Sequence, residues 1–276
     1  MRSLKFFLLS ALIVASLGAC NKYNKVLKSK DPNYQLAKAD EYFAKKRYKA
    51  AQAVYEELFS SLKGSPKFEE LYYKYAYCYY AQKMYREAEN LFKGYLETFP
   101  NSARAEEVDY LHAFCFYKQS PKVELEQVNT AKAIGMMQTF INTHPGSARI
   151  KDANEIIDKS RAKLEQKDYR AAELYYNLGH YRAAALAFGT LINSYPESTK
   201  GEEYKLKTVR SYYRFAQLSI IEKQIERYEK VVTEYEDFVD RYPDSKLLKD
   251  AENYKNLSLN HIKDIKNEQT QTSVKR

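Results

Sequence analysis

The sequence predicts an all-α protein, built as an α-solenoid of helix pairs that repeat along the chain. Helix-breaking residues are rare, with 8 Gly and 7 Pro in 276 residues, so long stretches can stay helical. A second observation is a recurring element of a bulky residue, Pro, any residue and Ser, found as FPNS at 99–102, HPGS at 144–147, YPES at 195–198 and YPDS at 242–245. Proline pushes the preceding residue out of the helical region. Each element is therefore expected to end one helix, and its Ser to cap the next.

The spacing of the prolines sets the length of the repeat. Pro66 and Pro100 lie 34 residues apart, and the later intervals are longer. In LYYKYAYCYYAQKMYREAENLFKGYLETFP, at 71–100, large and small residues alternate at helical spacing in two blocks divided by a short turn. This unit resembles the tetratricopeptide repeat, which is two antiparallel helices in 34 residues. The resemblance implies a right-handed solenoid of about five such pairs.

Five units can be aligned along residues 33–266. Each unit has one small or β-branched residue at the equivalent position of its first helix and one in its second helix. In chain order these pairs are Ala39 and Ala51, Ala76 and Ala88, Ala113 and Ala133, Ala172 and Ala184, and Val209 and Val231. Extra residues are expected around SPKVELEQ in the third unit and LSIIEKQIER in the fifth. A long helix over 147–178 should extend the fourth unit, and a polar-faced closing helix should follow Pro243. Residues 267–276 are predicted to be a disordered tail.

The N-terminus has the features of an export signal. Arg2 and Lys5 precede the apolar run 6–17, which is short for a membrane span. The run ends in LGAC, which resembles the bacterial lipoprotein processing box. That resemblance implies a signal peptide at 1–19, lipid on Cys20, and a lipid-anchored tether at 20–32. A plain secretory signal and an uncleaved anchor are the alternatives. Asn21, rather than Asp, favours the outer membrane, with the protein facing the periplasm.

The chain is basic, with 45 Lys and Arg against 36 Asp and Glu. Four of the lysines follow the anchor closely: Lys22, Lys25, Lys28 and Lys30. They either attract anionic lipid headgroups or only solvate the tether. The remaining positive charge is spread along the chain, and the predicted periplasmic location is unsuited to nucleic acid. The charge therefore does not indicate nucleic-acid binding.

Residue types that carry catalysis are not arranged for it. The four histidines fall in separate units with no metal-ligand spacing: His112, His144, His180 and His261. No phosphate-binding glycine loop, nucleophile elbow or metalloprotease motif is present. The sequence therefore predicts a protein that is not an enzyme and has no cofactor or metal.

Two cysteines of the mature chain, Cys78 and Cys115, occupy the same position in neighbouring first helices. Equivalent atoms of packed helices lie about 8–10 Å apart, beyond the ~7 Å Cα separation that a disulfide allows. They are predicted to be buried free thiols.

Aromatic residues dominate the positions that face the concave side in tetratricopeptide repeats, namely the second, fifth, ninth and twelfth of each first helix. By unit these are Phe43; Tyr73, Tyr77 and Tyr80; Tyr110, Phe114 and Tyr117; Tyr169 and Tyr176; and Tyr213. Such a groove suits an extended or hairpin peptide with bulky apolar side chains. Alternatively, many of these rings simply pack between repeats.

Together the processing box, five repeats, two insertions and the segment AELYYNLGHYRAA before YPES resemble the BamD and competence lipoprotein family. The resemblance implies a periplasmic scaffold of the β-barrel assembly machinery. Its expected partners are unfolded outer-membrane proteins, a periplasmic POTRA domain of a BamA-like barrel, and further Bam lipoproteins. It implies substrate contacts at Phe43, Tyr73 and Tyr77, with Tyr80, Tyr110 and Phe114 further along, and a partner face at Arg210, Arg214 and Arg227.

Two other functions fit a lipid-anchored repeat protein. One is coordination of cell-wall or Tol-system functions, but such proteins commonly carry a coiled coil, and this chain has no sustained heptad. The other is glycan binding for nutrient uptake. Glycan platforms often use Trp, and this chain has none.

Overall fold

The computed structural model describes the backbone of residues 24–274. These residues contain a short helical turn at 24–27 and then helices only, without a strand between them. The helices are α1 Pro32–Ala44, α2 Tyr48–Phe59, α3 Phe68–Ala81, α4 Tyr85–Thr98, α5 Ala105–Lys118, α6 Val128–Thr143, α7 Ile150–Asn177, α8 Tyr181–Ser194, α9 Gly201–Gln217, α10 Ile221–Arg241 and α11 Leu248–Val274. The predicted all-α class is confirmed, as are the five consecutive helix pairs, from α1 with α2 to α9 with α10.

The chain divides into two compact units, with the boundary inside α7 after Ser160. In unit 1, each helix from α1 to α5 packs against the next one along the chain. The predicted small residues allow this close approach, because the alanines listed for the first three repeats are all fully buried. Rings fill the space between them, since the side chains of Tyr55, Phe92, Tyr95 and Phe140 have no solvent exposure.

Unit 2 begins at Arg161 and holds two clusters of buried residues. The first joins the end of α7 to α8 through Ala172, Ala184 and Phe188. The second joins α9, α10 and α11, where Ile262 and Ile265 of the closing helix pack with the core. The predicted closing helix is therefore present, and it covers the last repeat.

The Pro-x-Ser elements form the joints between repeats, as predicted, but their serines act differently from helix caps. The hydroxyl of Ser102 accepts a hydrogen bond from the amide of Arg104 at 3.0 Å, within the turn before α5. Ser147, Ser198 and Ser245 likewise accept from the amide two residues on. The N-cap residues are Arg104 and Lys200, whose own side chains make no capping hydrogen bond to the helix amides. The serines thus stabilise turns rather than helix starts.

Three of these serines also tie each joint to the preceding first helix. Ser102 donates to Glu69 at 2.6 Å, Ser147 to Glu106 at 2.6 Å and Ser198 to Glu165 at 2.5 Å. A charge-assisted bond of this kind is stronger than a neutral one. It fixes the end of one repeat against its own beginning.

The short turns within repeats reverse the chain through one residue in the left-handed region. Lys46, Lys83 and Gly179 have φ values of 56°, 63° and 80°. Each lies two positions before the first residue of a second helix, which is a tyrosine in all three cases: Tyr48, Tyr85 and Tyr181.

One expectation needs correction, and the structure adds detail to two others. Residues 267–274 continue α11, where a disordered tail was predicted; this polar stretch lacks Gly and Pro, so nothing stops the helix. The described part of the predicted tether is folded, because Val26 is buried and Gln35 donates to the carbonyls of Val26 and Leu27. The extra residues of the fifth unit mostly lengthen α9 and α10, whereas those of the third form a loop before α6.

Candidate functional site

One constellation of side chains occurs three times in the structure. Each copy, termed a triad, contains an aromatic residue of a first helix, the Tyr five residues later, and the residue 34 positions after the first member. Triads 1 and 2 belong to unit 1, and triad 3 belongs to unit 2. The members are Phe43, Tyr48 and Tyr77 in triad 1; Tyr80, Tyr85 and Phe114 in triad 2; and Tyr176, Tyr181 and Arg210 in triad 3.

Contacts within the triads are alike. The first two rings have centroids 5.6 Å apart in triad 1, 5.9 Å in triad 2 and 5.1 Å in triad 3. The third member approaches the first ring in each copy. Tyr77 lies 5.7 Å from Phe43, Phe114 lies 6.3 Å from Tyr80, and the guanidinium carbon of Arg210 lies 4.9 Å from the ring of Tyr176. The repeat therefore places equivalent side chains in equivalent contact.

Triads 1 and 2 are continuous. The rings of Tyr77 and Tyr80 are 5.6 Å apart, so six partly exposed rings form one surface across the first three repeats. This surface, the aromatic row, consists of Phe43, Tyr48, Tyr77, Tyr80, Tyr85 and Phe114. Tilted and edge-to-face contacts between its rings are the arrangements that aromatic side chains prefer. The row offers broad apolar area together with hydroxyl groups at four positions.

Three hydroxyls of the row, those of Tyr77, Tyr80 and Tyr85, stay uncharged at neutral pH. Burial raises the pKa of Tyr77 and Tyr85, and raises that of Tyr80 to about 12. A neutral phenol can donate or accept a hydrogen bond at a peptide backbone.

Two predicted contact residues, Tyr73 and Tyr110, support the row instead of facing solvent. Their exposed fractions are 8% and 7%. The guanidinium of Arg104 covers Tyr73 at 4.4 Å, and that of Arg149 covers Tyr110 at 4.9 Å. Because Tyr73 packs 6.0 Å from Tyr77, and Tyr110 stacks 5.8 Å from Phe114, both hold members of the row in place.

Cations become more numerous from triad 1 to triad 3. The position four residues after the third member is Ala81 in triad 1, Lys118 in triad 2 and Arg214 in triad 3. Lys118 lies 5.4 Å from the ring of Phe114, and Arg214 lies 5.8 Å from that of Tyr181. Lys74 also approaches triad 1, 5.9 Å from Phe43, but Asp40 and Glu70 neutralise it at 3.0 and 3.2 Å.

A cleft of about 200 Å³ lies beside triad 3, within unit 2. Its lining residues are Glu173, Tyr176, Asn177, Phe188, Lys207 and Arg210. Lys207 donates to Glu173 at 3.0 Å, and Tyr169 donates to the same carboxylate at 2.7 Å. Burial by itself would raise the pKa of Glu173, but these two hydrogen bonds and the charge of Lys207 lower it. Glu173 is thus ionised and already paired.

The predicted partner residues do not form one cluster. Arg210 and Arg214 both belong to the surroundings of triad 3. Arg227 instead stacks 4.1 Å from Phe215 and donates to Ser219. Tyr213, expected on the concave face, is 7% exposed and packs with Tyr228 in the core of unit 2.

Sequence reasoning missed the second-helix tyrosines. Only first-helix positions were considered, although a signal was present: each of these tyrosines starts the pattern Tyr, Lys or Arg, any residue, Ala. The alanines of this pattern, Ala51, Ala88 and Ala184, are fully buried, which fixes the face of the helix on which the Tyr lies.

The other chemical groups do not form a second site. Cys78 and Cys115 are buried free thiols, as predicted, and burial raises the pKa of each to about 12. Within residues 24–274, no three His, Cys, Asp or Glu side chains gather as a metal site would require. No helix in that range is long and apolar enough to cross a membrane. Cys20, the predicted lipid-bearing residue, lies outside the described residues.

Fold and surface together define a class, a helical-repeat protein with partly exposed aromatic side chains aligned along consecutive repeats. Residues 28–220 match YfiO, a family of outer membrane lipoproteins, and the chain belongs to this family. This confirms the predicted family, the lipoprotein class and the outer-membrane location. No curated protein sequence matches the chain. Among solved structures, it is similar to the TPR2AB domain of yeast Sti1 in its pHSP90 complex, with 13% identity, 82% of this chain and 98% of that chain covered, and a TM-score of 0.38.

Proposed function

We propose that the protein is a scaffold of outer-membrane protein assembly, which holds unfolded β-barrel proteins on the aromatic row while unit 2 binds the periplasmic domain of a BamA-like barrel. The observation that carries this proposal is the continuity of the aromatic row across three repeats. Membership of the YfiO outer membrane lipoprotein family supports the cellular setting.

The chemistry of the row fits an unfolded barrel strand. Such a strand alternates apolar residues with polar ones, so one face presents bulky side chains at intervals of two residues. Large, rigid rings bury apolar area at small entropic cost. The hydroxyls of Tyr48, Tyr77, Tyr80 and Tyr85 can meet the strand's unpaired backbone groups. The rings of the row are themselves uncharged, which also suits a substrate of varied sequence.

Lipid on Cys20 would hold the first repeat at the membrane. Residues 24–27 are already docked on α1 through Gln35 and the buried Val26. Only three residues, 21–23, lie between Cys20 and Asn24. A lipid carried by Cys20 would therefore keep the docked turn, and with it the first repeat, close to the membrane.

Photocrosslinking in intact cells tests the substrate part of the proposal. A benzoylphenylalanine at position 77 should crosslink to newly made outer-membrane proteins. The double variant Phe43→Ala with Tyr77→Ala should reduce crosslinking from a benzoylphenylalanine placed at position 114. The same variant should still copurify with the barrel protein, because that contact is assigned to unit 2.

Tyr175→Ala serves as the matched control, since Tyr175 is exposed and belongs to no triad. Crosslinking to substrate that is undiminished in the double variant would show that the row is not the substrate site. Failure to recover a barrel protein with POTRA domains from wild-type membranes would contradict the assigned machinery.

A further inference from the structure

Triad 3 differs from the other two in the chemistry of its third member. Tyr77 and Phe114 place a ring against the first aromatic residue of their triads, and Arg210 places a guanidinium there. The stacked face of Arg210 is held by Tyr176, and the side chain is otherwise exposed beside the cleft. Within the part of the chain that the structure describes, no carboxylate pairs with Arg210 or Arg214; Arg214 donates only to the amide oxygen of Gln217.

We propose that the cleft beside triad 3 is a binding site for a carboxylate of a protein partner, gripped by the guanidinium of Arg210 with Arg214 adding charge. The proposal rests on the proposed scaffold function, in which unit 2 binds a partner, and it specifies the chemistry that the partner must present. The expected ligand is an acidic side chain on an exposed segment of that partner.

Preorganisation supports this assignment. An arginine that stacks on a ring keeps its planar edge free for a bidentate bond with a planar carboxylate. Because Tyr176 already limits the motion of the side chain, less entropy is lost on binding than with a free arginine. Asn177 is exposed in the lining of the cleft and adds an amide donor.

The charge balance of the cleft favours a monoanion. Lys207 is matched by Glu173, so the excess charge is that of Arg210 and the neighbouring Arg214. A phosphate dianion would meet the ionised Glu173 in the same lining and suffer greater repulsion. A single carboxylate fits beside it, with Phe188 and Tyr176 covering the aliphatic part of its side chain.

Peptide binding to the full chain in detergent tests the site. The probe is a fluorescein-labelled, amidated peptide Gly-Tyr-Gly-Glu-Gly-Tyr-Gly, and its partner has Gln in place of Glu. Fluorescence anisotropy should show that the Glu peptide binds about tenfold more tightly than the Gln peptide, a difference expected of one charge-assisted contact. Arg210→Gln should abolish that difference, and Arg210→Lys should keep only part of it.

Arg227→Gln is the matched control, because Arg227 stacks on Phe215 away from the cleft and should leave the preference for Glu intact. Equal binding of the two peptides to the wild type would overturn the proposal, as would a loss of preference in Arg227→Gln but not in Arg210→Gln. A Gln peptide with a free terminal carboxylate that binds as tightly as the Glu peptide would support the carboxylate site but assign it to chain ends. Competition by inorganic phosphate at lower concentration than acetate would contradict the choice of carboxylate.

The two proposals can fail separately. Binding of an apolar peptide that depends on Tyr77, without a Glu preference, would leave the aromatic row standing and remove the carboxylate site. A preference for the Glu peptide that depends on Arg210, without binding of the apolar peptide, would support the carboxylate site and contradict the role of the aromatic row.

Discussion

Triads 1 and 3 share one backbone arrangement but differ in the chemistry of the third side chain, and we propose that they serve two kinds of ligand. Both begin with an aromatic residue of a first helix and a Tyr at the start of the second helix, with rings 5.6 and 5.1 Å apart. The residue 34 positions on is Tyr77 in one and Arg210 in the other. The helix pair therefore fixes where the third side chain lies, and in our proposal the identity of that side chain decides whether the surface favours apolar groups or carboxylates.

The largest effect should follow removal of Tyr77. Its ring contacts Phe43, Tyr48, Tyr73 and Tyr80, so it links triad 1 to triad 2. Central aromatic anchors in interfaces contribute about 2 kcal/mol or more. Tyr77→Ala should weaken binding of a fluorescein-labelled peptide with alternating Phe and Ser by about thirtyfold, as measured by anisotropy.

Tyr176→Ala is the control for that experiment, because it removes a ring of triad 3, which lies outside the aromatic row, and should leave the affinity for the apolar peptide within twofold (about 0.4 kcal/mol). Equal losses in the two variants would mean that apolar binding is not confined to the aromatic row.

A buried ion-pair cluster should make the stability of unit 2 depend on pH. In unit 2 the buried Lys205 forms ion pairs with Glu234 and Asp237, both at 2.5 Å. Burial by itself would raise the pKa of Glu234, but hydrogen bonds from Lys205 and Lys230 lower it below the usual 4.5. A carboxyl group whose pKa is lowered by folding stabilises the protein above its unfolded pKa, and this stabilisation is lost as pH falls through the folded pKa.

Glu234→Gln should therefore destabilise unit 2 by about 2 kcal/mol at pH 7, since it leaves a buried lysine with one partner fewer. The difference from wild type should shrink as the pH falls through the lowered pKa of Glu234, because the wild-type carboxyl then becomes protonated. Thermal unfolding with hydrogen exchange at α9 and α10 can measure both. Glu226→Gln, at an exposed pair with Lys223, should change little. A destabilisation that is independent of pH would contradict this account.

A smaller effect is expected at the joints. Ser102 accepts from the amide of Arg104, donates to Glu69 and lies 2.8 Å from the hydroxyl of Tyr95. Among the described residues, the hydroxyl of Ser245 in unit 2 makes only the turn bond, which it accepts from the amide of Leu247. Ser102→Ala should cost about 1–2 kcal/mol in urea unfolding, and Ser245→Ala about 0.5 kcal/mol. Equal costs would show that the link to Glu69 adds nothing.

Much of the fold could be predicted because each repeat carries local signals. Proline at 100, 145, 196 and 243 ends the second helices, and the buried alanines mark where helices approach. The bonds between serines and glutamates could not be predicted, since they join residues 33 to 41 positions apart and depend on side-chain direction. The helical residues 267–274 were missed because polar composition alone does not separate a helix end from a tail.

The candidate site was predictable in part. The repeat register pointed to Phe43, Tyr77, Tyr80 and Phe114, which the structure brings together. The register did not predict that arginine side chains cover Tyr73 and Tyr110, because these arginines come from the turns before α5 and α7. Those arginines are held by Glu70 at 2.7 Å and Glu107 at 3.9 Å, which are contacts across repeats.

The most direct test of the comparison is to exchange the third members of triads 1 and 3. Tyr77→Arg and Arg210→Tyr would each be assayed by anisotropy with the Phe-Ser peptide and the Glu and Gln peptides. The account predicts that Tyr77→Arg loses affinity for the apolar peptide, and that Arg210→Tyr loses the preference for Glu over Gln while gaining apolar binding. Preferences that stay unchanged in both variants would show that the third triad position does not select the ligand.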